Sequence, residues 1–214
     1  MRVKRFIFNM FEVNTYIVWN PQTLQAAIID PGMLTEENNR AIDDFIRDNN
    51  LKPEHLINTH LHLDHTFGND YITKRYGLRI EAHTGDDQLG KMRMAQARRF
   101  GMRIELPPLE IGVELHNGDC ISIGDEYLKV YHLPGHSPGS VVLYAPADGF
   151  VLTGDVLFRR GIGRTDLAGG NHAQLINGIH EILMPLPDNT IVYPGHGEQT
   201  TIGEEKTQNM WLGA

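Results

Sequence analysis

The sequence predicts an α/β fold, a four-layer αββα sandwich with two central mixed sheets and helices on their outer faces. Three observations carry this. Short β-rich runs open the chain, a second series of strand-like runs fills its later half, and segments with helical spacing of apolar residues stand before, between and after the two series. An element apolar on one face must bury it against another, and two sheets meeting face to face under helical covers satisfy the pattern. The 214 residues carry no short-period repeat, low-complexity tract or Ser/Gly-rich linker, so one domain over 1–214 is expected.

The opening runs VKRFIF, NTYIVW and AAIID are separated by Asn20-Pro21 and closed by Asp30-Pro31-Gly32, which reads as an antiparallel meander. Ala41, Ile42, Phe45 and Ile46 recur at helical spacing between Glu36 and Asn49, so a helix covers one sheet face. HLINT (55–59) is a buried strand, 67–76 a helix stopping at Gly77, and 78–82 a further strand. Residues 84–100 read as one more polar helix. Strands follow near 120–123, 126–132, 140–145 and 149–153, then a helix at about 172–183 and a strand at 190–193. In the polar helix, Lys91, Arg93, Arg98, Arg99 and Arg103 around Met92, Met94, Phe100 and Met102 read as an amphipathic element with a solvated face.

The net charge of −8 works against a broad nucleic-acid footprint or a polybasic membrane anchor. No run approaches the roughly 18 to 20 apolar residues that span a bilayer. MRVKRFIFNMFEVNTYIVWN is broken by Asn9, Glu12 and Asn14 and lacks the form of a signal peptide. Cys120, the single cysteine, excludes an intrachain disulfide and fits a reducing compartment; it is expected in the core. A soluble cytoplasmic protein with a small-molecule substrate, no nucleic acid and no membrane partner is expected.

THLHLDH (59–65) holds the densest chemistry in the chain. In an extended backbone His60, His62 and Asp64 project from one side and Leu61 and Leu63 from the other, while His65 falls out of the alternation as the chain turns. Crowded neutral imidazoles and a carboxylate lack donors for their lone pairs, and a divalent cation supplies the missing charge. Nitrogen and carboxylate donors suit zinc, iron or manganese over calcium or magnesium. LPGHSPGS (133–140), LTGDV (152–156) and YPGHGE (193–198) each place His136, Asp155 or His196 beside glycine just past an apolar strand. Strand ends of this kind converge on a common rim.

His-x-His-x-Asp-His followed by His, Asp and His on successive loops resembles the metallo-β-lactamase-fold hydrolase superfamily over nearly the whole chain. The resemblance implies that His60, His62 and His136 hold one metal, that Asp64, His65 and His196 hold a second, and that Asp155 bridges them. Two divalent ions are implied, zinc first, with iron or manganese as alternatives. Asp155 stands where the β-lactamases with a cysteine ligand place that cysteine, which disfavours antibiotic hydrolysis. LFRRGIGRTDLAGG (157–170) and the C-terminal TTIGEEKTQNMWLGA look like the short glyoxalase II-like hydrolases and the related persulfide dioxygenases.

The resemblance implies a dinuclear hydrolase of small thioesters, in which a metal-bound hydroxide attacks the carbonyl. A thiol with a pKa of about 8.5 leaves without a general acid, which favours thioesters; lactones stay open. Asp64 and Asp155 are the catalytic candidates, Asp64 as a group that orients the nucleophile or takes its proton. Glyoxalase II proper has Lys and Tyr where this chain has Arg164 and Asp166, and the chain is short for the helical C-terminal domain of those enzymes, so the thiol carrier is open. Arg164 is the candidate clamp for a substrate carboxylate, with an Arg164–Asp166 surface pair as its alternative. The rival activity is a persulfide dioxygenase with a single iron. Thr59, Ser137, Ser140 and Thr153 are candidate partners of the imidazoles, and His172 is the best placed of the remaining histidines.

Overall fold

The computed structural model describes residues 1–213. The meander forms β1 (Arg2–Phe8), β2 (Val13–Trp19) and β3 (Gln25–Ile29), antiparallel throughout. Helix α1 (Glu36–Asp48) follows, and β4 (Lys52–Ile57) returns parallel to β3. Helix α2 (Asn69–Tyr76) and β5 (Ile80–Ala82) repeat the crossover. The expected single helix over 84–100 is broken: a 3-10 turn at Thr84–Asp86 leads into α3 (Asp87–Lys91), and α4 (Arg93–Arg99) starts after Met92. The short β6 (Val113–Glu114) completes the first sheet in the order β1-β2-β3-β4-β5-β6.

The second series builds β7 (Cys120–Ile123), β8 (Glu126–His132), β9 (Val141–Ala145) and β10 (Phe150–Gly154) as an antiparallel run. A small hairpin of β11 (Leu157–Phe158) and β12 (Gly161–Ile162), then α5 (His172–Gly178) continued as a π-turn to Leu183, lead to β13 (Ile191–Pro194). Strand β13 lies parallel to β10, and β14 (Thr200–Thr201) and α6 (Ile202–Gln208) close the chain. The second sheet runs β14-β13-β10-β9-β8-β7.

Strand alternation divides the apolar residues among three cores. Ala27 and Ile29 of β3 face the space between the sheets with Tyr16, Ile57, Val130, Leu143 and Leu152. Ala26 and Ile28 face the other way, onto α1 and α2 through Ile42, Ile46 and Ile72. In the second sheet Val142, Val151 and Val192 turn outward onto Leu175, Ile179, Leu183 and Ile202. Three cores between four layers make the expected αββα sandwich. Helix α1 starts because Thr35 Oγ1 accepts the Asn38 amide at 3.2 Å and Glu36 and Glu37 sit at the positive end of the helix dipole.

Two expectations about single side chains are corrected. Cys120 is exposed, because β7 alternates and Cys120 and Ser122 take its outer face while Ile121 and Ile123 take the core. Arg93 is fully buried at 0% exposure and not on a solvated face. Its guanidinium donates to Asp70 Oδ2 (2.8 Å), Pro107 O (2.9 Å) and Thr66 O (2.8 Å), so it ties α4 to the loop behind the histidine cluster. No helix among the described residues is long and apolar enough to cross a membrane.

Candidate metal centre

Strand β4 ends at Ile57, and the chain then crosses the rim of the sandwich with His60 and His62 turned one way and Leu61 and Leu63 the other. Leu61 sits at 0% exposure in the core under α1 and α2, and Leu63 packs with Phe67 and Ala97. Four buried apolar and imidazole groups alternating this way fix which face carries the ligands. The alternation stops one residue earlier than expected. A 3-10 turn at Leu63–His65 presents Asp64 and His65, and the Thr66 amide closes it on Leu63 O.

His136 comes from the β8–β9 loop, Asp155 directly follows β10, and His196 lies just past β13. The structure brings all seven predicted ligands together in two sets. In the first, His62 Nδ1 stands 2.9 Å from His136 Nε2, and the His60 ring lies 4.8 Å from each of the other two. In the second, His196 Nε2 is 3.2 Å from Asp64 Oδ2 and 3.3 Å from His65 Nε2. Asp155 lies between them, with Oδ2 at 3.6 Å from His136 Nε2 and 3.5 Å from His196 Nε2, and Oδ1 at 3.4 Å from His65 Nε2.

The rings are aimed by acceptors on their far sides. His136 Nδ1 donates to Arg164 O at 2.8 Å and His196 Nδ1 to Phe11 O at 2.9 Å, which leaves each Nε2 lone pair facing inward. Thr59 Oγ1 donates to Asp30 Oδ2 at 2.6 Å and faces His60 Nδ1 at 3.2 Å. Asp30 Oδ2 also lies 3.1 Å from His65 Nδ1. Glycine lets the backbone close in: a Cβ on Gly195 would fall 2.2 Å from Asp155 Oδ1 and 2.8 Å from His65 Cε1.

The electrostatics of the two sets differ. Burial, helped by the neighbouring imidazoles, pushes His62 down to about 4 and His60 well below its ordinary value. Burial also works against a charge on His65, yet Asp155, Asp64 and Asp30 outweigh it and hold that imidazole well above its ordinary range. Burial would raise Asp155, but His65, His60 and His196 hold it well below the usual carboxylate range. The carboxylates thus favour positive charge in the second set.

These residues fit divalent metal ions. His60 Nε2 and Asp155 Oδ1 are buried with no hydrogen-bond partner, a state that costs free energy unless something else binds them. Three imidazoles make the first set, two imidazoles and a carboxylate the second, and nitrogen with oxygen donors is the chemistry of zinc, iron and manganese. Asp30, His60 and His65 also lie close enough to form a group. Asp30 already accepts both the amide and the hydroxyl of Thr59, however, which makes it a partner of the ligands.

Outside the two sets, Arg164 forks Asp166 through Nε and Nη2, both at 2.7 Å, with its side chain exposed, while its carbonyl holds His136. His172 packs its ring on Trp211, 6.0 Å between centroids, away from the ligand sets. Ser137 bonds Ser140 and donates to Asp86, and Thr153 donates to Leu157 O. Sequence reasoning missed Asp30, Asp86 and Asn14. Asp30 stands in the turn Asp30-Pro31-Gly32 at a strand end, the same grammar that marked Asp155, and that signal was readable. Asn14 lies inside a strand and gave none; its side-chain amide donates to Pro194 O and Gly197 O, both at 2.9 Å, and its own amide to Gly195 O.

The fold and the two ligand sets define a metallo-hydrolase of the αββα type, and residues 9–196 match the Metallo-beta-lactamase superfamily model. The chain belongs to that superfamily. Among curated proteins it is 36% identical over 216 residues to hydroxyacylglutathione hydrolase GloC of Haemophilus influenzae, covering 99% of this chain and 98% of that one. It is 34% identical over 217 residues to the probable metallo-hydrolase YqgX of Bacillus subtilis, at 99% and 98% coverage. Among solved structures, BLEG-1 B3 metallo-beta-lactamase superposes with a TM-score of 0.90 at 33% identity over the full length of both chains. TTHA1623 in a di-iron-bound form gives 0.86 at 33% identity, covering 98% and 100%. ETHE1 from Myxococcus xanthus gives 0.79 at 28%, covering 100% of this chain and 85% of that one. Family and relatives together support a metal-dependent hydrolase.

Proposed function

We propose that the chain is a dinuclear metal-dependent hydrolase of small thioesters in the manner of glyoxalase II, with zinc as its first-choice metal. The observation that carries this reading is Asp155, whose two oxygens face both ligand sets at 3.4 to 3.6 Å. Bound there, a pair of divalent ions would supply a water acidic enough to be nucleophilic near neutral pH and a Lewis acid for the substrate carbonyl. The chain's own part is positional. His60, His62 and His136 would hold one ion, Asp64, His65 and His196 the other, and Asp155, facing both sets, would offset the repulsion between them.

Asp64 Oδ2 lies at the inner edge of the second set, where it can orient the attacking water and take up its proton. No other unpaired acid stands in the two sets to protonate a leaving group, which suits a thiol that departs as thiolate. The carbonyls of Phe11 and Arg164 aim His196 and His136, and Asp30 holds Thr59 against His60. Arg164 reads a substrate carboxylate if it releases Asp166; the similarity to GloC favours a thioester whose thiol or acyl arm bears such a group.

A second reading, a persulfide dioxygenase-like oxidoreductase with a single iron, has on its side the Gly163-Arg164-Thr165-Asp166 segment, which packs beside His136, and the likeness to ETHE1. Turnover of a thioester panel beside oxygen uptake with a persulfide separates the two. Thioester hydrolysis without oxygen consumption is expected; the reverse would replace the first reading by the second.

A further inference from the structure

We propose that Asp86 is a positioning residue that assembles the first ligand set, His60, His62 and His136, before any metal arrives. It stands outside both sets, at 1% exposure, in the 3-10 turn that follows β5 of the first sheet. One oxygen accepts the Leu61 amide at 3.0 Å, between His60 and His62, and the Ser137 hydroxyl at 2.8 Å, beside His136. Its other oxygen accepts the Gly139 amide at 2.6 Å. Leu61 belongs to the loop leaving the first sheet, and Ser137 and Gly139 to the β8–β9 loop of the second. One carboxylate therefore joins the two loops that must meet to bring three imidazoles together.

The loops interlock around that carboxylate. A Cβ on Gly139 would stand 2.6 Å from the Asp86 amide nitrogen, and a Cβ on Gly85 2.7 Å from Pro138 O, so only glycine permits the approach. Asp86 makes no hydrogen bond or ion pair with Asp64, His65 or His196. Their loops are held separately: that of His196 by Asn14, by the Phe11 carbonyl and by Tyr16, whose hydroxyl donates to Pro194 O at 2.7 Å, and the Asp64–His65 turn by the side-chain amides of Asn9 and Asn58, which donate to Asp64 O and His65 O. The expected consequence is selective. An amide in place of the Asp86 carboxylate turns an N–H group towards donors and leaves at least one of three buried donors unpaired, which loosens the backbone beside His60, His62 and His136, while the Asp64–His65 turn further along the same run keeps its own ties to Asn9 and Asn58.

The proposal rests on the two-set metal reading and not on the substrate. It is tested by calorimetric zinc titration of protein stripped with chelator, with His62→Ala and Asp64→Ala marking which binding step belongs to which set. Asp86→Asn is expected to weaken the step that His62→Ala deletes by about 10- to 100-fold, the usual effect of removing an outer partner, and to leave the other step within about twofold. Equal weakening of both steps, or of neither, would overturn it. If Asp86→Asn does not fold, Ser137→Ala removes one of the three donors and should weaken the same step severalfold; two unchanged steps in that variant would overturn the proposal equally. A wild-type chain that takes up zinc in a single step would remove the two-set reading and this inference with it, whereas absence of thioester turnover would touch neither.

Discussion

The first ligand set is three buried imidazoles with no carboxylate of its own, and the second pairs two imidazoles with Asp64 and sits beside Asp30. In the first, burial lowers His60 and His62, the latter to about 4; in the second, Asp155, Asp64 and Asp30 hold His65 above its ordinary value against its burial. Neutral nitrogen donors stay available to a metal without competition from protons, but they do not balance its charge. Asp155 is the carboxylate that faces both sets, 3.6 Å from His136 Nε2 and 3.5 Å from His196 Nε2. The two halves are also held differently: Asp86 joins the two loops of the first set, whereas in the second Asn14 ties the His196 loop to the first sheet and Asn9 and Asn58 hold the Asp64–His65 turn.

Removing the shared group should erase the difference. Asp155→Ala is expected to abolish activity and to release metal from both sets, because one carboxylate faces both. Metal analysis of the purified variant checks this, and full occupancy by two ions would contradict the bridging role. Next in size, His136→Ala and His196→Ala should each lose a different metal, leaving about one ion per chain. Loss of the same single ion in both variants would collapse the two sets into one.

Asp30 cuts across the comparison because it holds Thr59, which aims His60, and also faces His65. Asp30→Asn should weaken both zinc steps by about tenfold, in the range found for outer partners of metal ligands. An effect confined to one step would show that only one of its two contacts matters. Arg164→Ala is expected to leave both metals in place, since the His136 acceptor is the backbone carbonyl, and to raise KM for carboxylate-bearing thioesters by about tenfold, roughly 1.4 kcal/mol. Equal losses on charged and neutral thioesters would mean that the Arg164–Asp166 fork serves the loop alone.

The smallest effect is a control away from the metals. His55 Nδ1 meets Glu81 at 2.7 Å and Nε2 meets Ser122 O at 3.0 Å, a tie between the two sheets. The hydrogen bond to Glu81 raises His55 above its ordinary value against partial burial. A raised histidine contributes stability in full below the unfolded pKa of about 6.5 and loses it as pH rises through the folded value. Melting temperature should therefore fall across that window in the wild type, less so in His55→Gln, with zinc stoichiometry unchanged. An identical pH profile in the two proteins would remove the charge from this tie.

Most of the sandwich was legible because period-two burial writes itself into runs such as AAIID, whose alternate residues serve two different cores. The candidate ligands stood out because His60, His62, Asp64 and His65 crowd one short run and His136, Asp155 and His196 each sit beside glycine just past an apolar strand. What escaped depends on tertiary partners. Arg93 reads like its charged neighbours until Thr66, Asp70 and Pro107 surround it. Asp86 carries no signal until the β8–β9 loop folds against it, and the break at Met92 follows from packing that no local propensity records.

The central claim is that two metal ions work as one centre on thioesters. Its most direct measurement is metal content and thioester turnover on the same chelator-free preparation, repeated as ions are removed and returned one equivalent at a time. Two ions per chain are expected, with full turnover only when both are present. Full thioester turnover with one ion, or one iron per chain with oxygen uptake and no hydrolysis, would contradict it.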